Sequence, residues 1–349
     1  MRAILEEFKK NWLTNILGII FFVFGFGVLN VNEARYFKHT SVLNEASKEI
    51  ISINEHNEAA IYKTPNYEGK MIHLIGELKI REGLGDSQYN ILVQSVKLRK
   101  IVEIYQWHED YIDNSFSTTD DDSKRNYIYY KDWSEKIIDS RSFHSMMHQN
   151  PSKKPIESKT NIAEKAYIGN FEIGEEAKEK FNTWIDVTSD TKPDDIFIKM
   201  HSGAYYHSED IFNPQIGDVR IKFQFAGLEG EIWTICGQFE KGIIVPYVRK
   251  NKKILLLSKG RLSIDDIFHQ EHFSTSKEVW FTRLFGFFLI MFSIISTENI
   301  NRVAFSRTPF SFLILDNNKK LRSILKIAAL FTITICIFRQ SLHYLHILN

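Results

Sequence analysis

The stretch WLTNILGIIFFVFGFGVLNV (Trp12 to Val31) decides the class of this protein. It carries no charged side chain, and about 20 helical residues suffice to cross a hydrocarbon core of about 30 Å. Trp12 stands at its boundary, where an amphipathic ring favours the headgroup layer. A cleaved signal peptide is the alternative, but the apolar run exceeds a signal core and no small-residue cleavage site follows it. The stretch therefore predicts a transmembrane helix over residues 12–31.

Two later segments are also apolar. Residues 279–297 contain one charge, and we predict a second transmembrane helix there, with a buried helix of a soluble core as the alternative. Residues 323–342 have a shorter uncharged core and span only if the flanking cations reach the interface. The predicted membrane-interface residues are Trp12, Arg283, Lys326 and Arg339.

Loop charge predicts the orientation of these segments. Residues 1–11 and the loop 298–322 are rich in Lys and Arg, so both are expected on the cytoplasmic side. Arg307 and Pro309 interrupt the apolar run Val303 to Leu315, which favours an interfacial or re-entrant segment. Residues 32–278 then lie outside the cytoplasm, in the periplasm or in a lumen. A tail, 343–349, follows the third segment.

Residues 32–278 show the alternation of half-buried strands. In DVRIKFQF, the side chains of Val219, Ile221, Phe223 and Phe225 share one face. VKLRKIVEIYQW (Val96 to Trp107) is apolar on both faces and reads as a central strand, and Gly76 in MIHLIGELKI suggests a bulge or a close backbone approach. Helices are expected at Gly174 to Trp184 and Ser263 to Phe273. The fold class is an α+β membrane protein, with a β-rich extracytoplasmic domain between an N-terminal transmembrane helix and a C-terminal cluster of transmembrane or interfacial helices.

Composition excludes several classes of protein. The 349 residues include 44 basic and 43 acidic side chains, so there is no excess charge for general nucleic-acid binding. Two cysteines exclude a disulfide scaffold and a Cys-based metal cluster, and Cys236 reads as a small buried hydrophobe. No nucleotide-binding, serine-hydrolase or zinc-protease motif occurs, so no cofactor is expected. His269 and His272 lack an identified third metal ligand and read as polar surface.

Two clusters join aromatic residues to a histidine and carboxylates: QWHED (Gln106 to Asp110) and YYHSED (Tyr205 to Asp210). Such groups can perform acid–base chemistry, or they can be strand ends whose aromatic rings pack while their charges meet water. We expect no catalytic residue and read this region as a candidate interaction surface. Its residues are Trp107, His108, Glu109, Tyr206, His207, Glu209, Asp218 and Arg220.

Several long blocks give the chain its resemblance to a known family. They are NEAR (Asn32 to Arg35), GKMIHLIGEL (Gly69 to Leu78), VKLRKIVEIYQW, NPS (Asn150 to Ser152), YYHSED followed by IGDVRIKFQFAGLEG (Ile216 to Gly230), and IFHQE (Ile267 to Glu271). With these blocks the chain resembles the LUMA family, also called the transmembrane protein 43 family, as a bacterial or divergent member.

The resemblance implies an N-terminal helix, a large lumenal or periplasmic domain and a C-terminal helical cluster. The family is associated with the endoplasmic reticulum and the inner nuclear membrane, with lamin and emerin as partners, and with self-association. In a prokaryote the inner membrane takes their place, and those partners do not apply. The family typically has four spans, whereas this sequence ends at Asn349 without room for a fourth.

The resulting hypothesis is a non-enzymatic integral membrane scaffold. It would contact membrane lipids, form homo-oligomers and organise envelope proteins through its extracytoplasmic domain. One alternative is a membrane-tethered hydrolase that uses the QWHED and YYHSED clusters. Another is a lipid- or envelope-sensing module that uses the basic segment Val303 to Arg322.

Overall fold

A computed structural model describes residues 2–53, 67–113, 125–188, 193–305 and 320–348. The chain divides into two units. The helical unit comprises Met1–Ile50, Val248–Ile254 and Ser263–Asn349, and the strand-rich unit comprises Ile51–Tyr247 and Leu255–Leu262. The fold is therefore mixed α and β, as the sequence predicts.

The described helices are α1 (Arg2–Lys10), α2 (Trp12–Glu49), α3 (Glu175–Glu179), α4 (Ile264–Ser296), α5 (Glu298–Phe305) and α6 (Lys320–Leu348). The strands are β1 (Ile51–Ile53), β2 (Met71–Ile80), β3 (Leu84–Asp86), β4 (Ile91–Val93), β5 (Ser95–Asp113), β6 (Arg125–Ser134), β7 (Lys159–Ile162), β8 (Ala166–Ile168), β9 (Phe171–Ile173), β10 (Ile185–Asp186), β11 (Lys199–His201), β12 (Ala204–His207), β13 (Val219–Leu228), β14 (Ile232–Glu240), β15 (Ile243–Val245), β16 (Tyr247–Arg249), β17 (Lys252–Ile254) and β18 (Leu256–Lys259).

Helices α2 and α4 pack against each other as an antiparallel pair in the helical unit. Glycines allow the two backbones to approach closely: a Cβ at Gly18 would lie 2.6 Å from Thr297 Cγ2, and one at Gly286 would lie 2.6 Å from Leu29 Cδ2. The register continues towards His39, whose Nε2 lies 3.6 Å from a carboxylate oxygen of Glu271. Helix α6 shares an apolar core with this helix pair.

Helices α2 and α4 are both longer than the predicted spans. Helix α2 continues to Glu49, and α4 begins at Ile264, where the Ser263 hydroxyl accepts a hydrogen bond from the Asp266 backbone N–H. Residues 32–49 and 264–278 are thus helical. Among the described residues, α2 and α4 are the two helices that are long and apolar enough to cross a membrane, while α6 contains a shorter apolar stretch, Ile324–Phe338.

The first sheet of the strand-rich unit closes on itself. Its order is β1-β2-β8-β9-β15-β14-β18, and β2 also pairs with β14, so five strands form a ring around an apolar core. Gly76 is part of this closure, because a Cβ there would lie 2.6 Å from the Gly169 backbone nitrogen. The close backbone approach expected at Gly76 is therefore confirmed.

The chain segment after Gly174 is less helical than expected. Helix α3 ends at Glu179 rather than near Trp184. The next residues direct Phe181 into the core of the first sheet, where its ring centroid lies 4.5 Å from that of Trp233. Burial of this aromatic ring takes precedence over the local helical pattern.

The second sheet has the order β11-β12-β13-β5-β6, with β10 on β13 and β7 on β5. Strand β5 is central, as predicted, because β13 and β6 hydrogen-bond to it over most of its length. The alternation in β13 is confirmed: Val219, Ile221 and Phe223 are buried, and Phe225 is half-buried on the same face.

Replacing Gly76 by alanine tests the closure of the first sheet. The added methyl must displace the backbone at Gly169, so we expect the free energy of unfolding to fall by about 1–3 kcal/mol. Chemical denaturation of the full chain in detergent measures this change. Gly27→Ala is the control, since a Cβ there meets nothing within 4 Å. Equal stability of Gly76→Ala and the parent would contradict the tight contact.

Candidate functional site

One side of the second sheet carries alternating aromatic and charged side chains, and we call it the ladder face. It is formed by the odd-numbered residues of β5 with the residues that pair beside them. Between Arg99 and Glu109, its charged and aromatic members are Arg99, Glu103, Tyr105, Trp107 and Glu109 on β5, Tyr129, Lys131 and Trp133 on β6, Arg220 and Lys222 on β13, and Tyr206 on β12.

The end of the ladder face at which β13 pairs with β5 is organised around Arg220. Its Nε donates to Glu103 Oε2 at 2.7 Å, and its guanidinium lies 4.9 Å from the centroid of the Trp133 ring. The Trp133 ring also contacts Tyr105 and Tyr206, at centroid distances of 5.2 and 5.8 Å. An arginine held between a carboxylate and an indole ring has a defined position, since both contacts restrict it.

The other end, at which only β6 pairs with β5, is organised around Trp107 and Glu109. Lys131 Nζ lies 4.8 Å from the centroid of the Trp107 ring, and the His148 ring packs against the edge of Trp107 at 4.4 Å. His148 is in turn stacked on Tyr129, with centroids 4.0 Å apart. Glu109 Oε2 accepts a 2.5 Å hydrogen bond from the Tyr129 hydroxyl. Histidines of the segment after β6 thus complete this part of the surface.

Asn150 holds that segment against β5. Its side-chain oxygen accepts from the Trp107 backbone N–H at 2.7 Å, and its amide donates to the carbonyls of Trp107 and Ile138 at 2.9 and 3.2 Å. The side chain therefore takes the place of a neighbouring strand at a position where β13 no longer pairs with β5. This gives the NPS block a structural role.

The structure brings four predicted surface residues onto one face. Trp107, Glu109, Tyr206 and Arg220 all belong to the ladder face. Because strands alternate, His108 and His207 point to the opposite face of the sheet. The His108 ring stacks on Tyr130 with centroids 5.1 Å apart, and His207 Nε2 is hydrogen-bonded to the Tyr89 hydroxyl at 3.0 Å.

The remaining two predicted residues close turns. Asp218 Oδ2 accepts hydrogen bonds from the Ser208 hydroxyl at 2.6 Å and from the Gln215 backbone N–H at 2.8 Å. Glu209 is exposed, and its backbone carbonyl accepts a hydrogen bond from the Lys199 ammonium. Both residues therefore border the ladder face without belonging to it.

The two histidine clusters do not converge as the hydrolase alternative requires. His207 lies level with Ile104, two strands away from β5, and His108 lies four residues further along β5. Standard strand spacing and rise place the two histidines about 16 Å apart along the sheet. Among the described residues, no group of three or more His, Cys, Asp or Glu side chains is suited to hold a metal ion.

Residues missing from the predicted surface supply much of its contact chemistry. Lys131 and Trp133 lie in the alternating run RNYIYYKDW, so the pattern marks the strand. It does not show which residues of β5 they adjoin, because that depends on the pairing register. His148 is held by loop geometry, and no sequence signal identifies it.

The helical unit contains a second candidate site, a buried ion pair between α2 and α4. Arg283 Nε and Nη2 donate to Glu33 Oε1 and Oε2 at 2.7 and 2.8 Å, and the Glu33 side chain is 0% exposed. Cys336 Sγ of α6 lies 3.5 Å from Glu33 Oε1, and Asn32 Nδ2 lies 3.4 Å from the Val279 carbonyl. All three long helices of the unit therefore meet at Glu33.

The predicted membrane-interface residues differ in their surroundings. Trp12 and Lys326 are exposed, and the side chain of Arg339 lies outside the described residues. Arg283 has a protein partner, Glu33, which meets its charge within the helical unit. Its depth in a membrane stays a prediction. Most of the basic segment Val303 to Arg322 also lies outside the described residues.

Two helices that are long and apolar enough to cross a membrane accompany a folded strand-rich unit, an arrangement typical of a membrane-anchored protein. The chain belongs to the transmembrane protein 43 family, whose model, described as "Transmembrane protein 43", matches residues 104–343. The resemblance noted in the sequence is thereby confirmed.

Relatives in several animals match most of the chain. It is 37% identical to the Transmembrane protein 43 homolog of Drosophila melanogaster over 315 residues, which cover 88% of this chain and 83% of that protein. It is 30% identical to Transmembrane protein 43 of Mus musculus and 29% identical to that of Homo sapiens, with 81% of this chain and 72% of each relative covered. These relatives are named as transmembrane proteins, and none is named as an enzyme. No solved structure matches the chain.

Removing one partner of the buried ion pair should destabilise the helical unit. Glu33→Met leaves the Arg283 charge buried without its carboxylate, which costs about 3–5 kcal/mol. The double variant Glu33→Met/Arg283→Met should lose less than either single variant, because no charge is left unpaired. Denaturation in detergent micelles measures all three. Glu278→Gln, an exposed position on α4, is the control, and additive losses in the double variant would contradict the pairing.

Acid should weaken the strand-rich unit through His207. Burial lowers the pKa of His207 and raises that of its partner Tyr89, so the folded chain disfavours protonated His207. The stability contribution is complete above the ordinary histidine pKa of about 6.5 and is lost as the pH falls below it. His73, whose pKa burial also lowers, acts in the same direction.

Thermal unfolding of the full chain, followed by its β-sheet circular dichroism across this pH range, measures the effect. His207→Gln should give a flatter profile than the parent chain. His201→Gln, at an exposed position, is the matched control and should leave the profile unchanged. Parallel profiles for the parent and His207→Gln would show that His207 carries none of the pH dependence.

Proposed function

We propose that this transmembrane protein 43 family member is a non-enzymatic membrane scaffold that gathers partner proteins on its ladder face. The observation that carries the proposal is the composition of that face. Tryptophan, tyrosine and arginine are the residues that contribute most to protein–protein binding. Here Trp107, Trp133 and Arg220 are half-buried, so they are positioned by neighbours and still accessible to a partner.

The charge of the ladder face favours a partner with an acidic surface. Four cations lie on it, Arg99, Lys131, Arg220 and Lys222, against the two carboxylates of Glu103 and Glu109. Glu103 is shared between Arg220 and Lys222, at 2.7 and 3.2 Å. The ladder face therefore carries more positive charge than Glu103 and Glu109 neutralise, and this excess charge would attract an acidic segment of a partner.

The helical unit supports an anchoring role. Because α2 and α4 are antiparallel neighbours with a matched register, two crossings of a membrane would return the chain to the side where it began. Helices α1 and α5 lie at the same end of this helix pair, and α1 ends in Lys9 and Lys10. Basic residues at that end favour the cytoplasmic side, with the strand-rich unit on the other side.

The family resemblance extends the proposal to place and assembly. For a eukaryotic chain it implies the endoplasmic reticulum and the inner nuclear membrane, with lamin- or emerin-like partners, and for a prokaryotic chain the inner membrane. Self-association is part of the same proposal. A multi-pass arrangement in that membrane would place many copies of the ladder face on one side of the bilayer.

Site-specific photo-cross-linking in native membranes tests the scaffold. A benzophenone amino acid at Lys131 or Lys222 lies on the ladder face, and one at Lys79, an exposed lysine of the first sheet, is the control. We expect discrete adducts from the ladder positions and few from Lys79. Arg220→Ala should reduce adduct yield from Lys222 severalfold, because it removes the central cation of the face.

The mass of each adduct identifies the partner class. An adduct of twice the chain mass supports self-association, and one of another discrete mass supports a different partner protein. Equal yields from Lys79 and the ladder positions, or no adduct from either ladder position, would overturn the proposal.

A further inference from the structure

The opposite face of the second sheet contains a small polar pocket, separate from the ladder face. Strand β7 pairs with β5 so that Lys159 lies beside Lys100 and Asn161 beside Leu98, while Phe223 of β13 lies on the other side of Lys100. Asp86 and Ser87, at the end of β3, complete the wall. The pocket encloses about 280 Å³.

The arrangement of charge in this pocket is unbalanced. Directly opposed residues on neighbouring strands have Cβ atoms about 5 Å apart, and like charges placed there are destabilising. Asp86 Oδ2 offsets one lysine, since it lies 2.9 Å from Lys100 Nζ. Among the described residues, no carboxylate forms an ion pair with Lys159. One positive charge facing the pocket is thus left without a counterion.

The hydrogen-bonding groups of the pocket are unbalanced in the same direction. Both oxygens of Asp86 are already engaged, Oδ1 by the Gln88 backbone N–H at 3.2 Å and Oδ2 by Lys100. Lys159, Asn161 and Ser87 also line the pocket, and their ammonium, amide and hydroxyl groups can donate hydrogen bonds. Donors beside a net positive charge match an oxyanion.

The floor of the pocket is apolar. Leu98 and Phe223 belong to the buried core of the sheet, and each is 2% exposed. These two side chains therefore present almost no surface to a ligand. The contacts available to a ligand therefore come from the polar residues of the pocket wall.

We propose that this pocket binds a small oxyanion of the phosphate or carboxylate class. The oxyanion bridges Lys100 and Lys159 and accepts hydrogen bonds from Asn161 and Ser87. This ligand site is independent of the scaffold function, because its residues face the other side of the sheet.

Calorimetric titration of the full chain in detergent micelles tests the site, with inorganic phosphate, phenyl phosphate and benzoate as probes. Sodium chloride of matched ionic strength controls for screening. We expect saturable binding of at least one oxyanion, with phenyl phosphate no tighter than inorganic phosphate because Leu98 and Phe223 offer its ring almost no surface. Preference between phenyl phosphate and benzoate identifies the oxyanion class.

Two substitutions at exposed or half-buried positions locate the binding. Lys159→Gln removes one charge-assisted contact and should weaken binding about tenfold. Asn161→Asp keeps the shape of the side chain but adds a negative charge, and it should abolish binding. The matched controls are Lys79→Gln in the first sheet and Asn126→Asp, an exposed residue of β6, which should bind like the parent chain.

Thermal unfolding of each variant without ligand shows that it is folded. No saturable heat with any probe would overturn the proposal. So would a response that sodium chloride reproduces, or binding that Lys159→Gln and Asn161→Asp leave unchanged.

Discussion

Much of the strand-rich unit depends on the alternation of side chains along β5. This strand runs from Ser95 to Asp113 and hydrogen-bonds to β13, β6 and β7. Its even-numbered residues, such as Leu98 and Val102, enter the core of the second sheet, while its odd-numbered residues build the ladder face. One strand thus contributes to both the proposed partner surface and the wall of the pocket proposed to bind an oxyanion. A shift of one residue in its pairing would exchange the two faces and destroy both sites.

The helical unit follows a different constraint, the burial of charge. Glu33 and Arg283 lie near the ends of two apolar stretches, where an unpaired charge would be costly. Their bidentate pairing sets the register between α2 and α4, together with the glycines where the two helices touch further along. Such a pair contributes little net stability compared with apolar packing, but it disfavours other registers because each would leave a charge unpaired.

Family membership and geometry complement each other in the functional interpretation. The match to the transmembrane protein 43 family identifies a membrane protein and indicates no reaction. The geometry separates the two histidine clusters that a hydrolase would need and collects half of the predicted surface residues on one face. The aromatic and cationic face supports the proposed scaffold function, and the pocket on the reverse face supports the proposed oxyanion site in the same unit.

The sequence by itself determined the long apolar stretches, the strand character of the middle region, the central place of β5 and the close approach at Gly76. These follow from local periodicity, from charge and from the small size of glycine. Only the tertiary structure decided that Arg283 meets Glu33, that His148 stacks on Tyr129, and that Lys100 opposes Lys159. These contacts join residues far apart in the chain, and they depend on pairing register and loop path. No local pattern carries that information, because the same alternation is compatible with many registers.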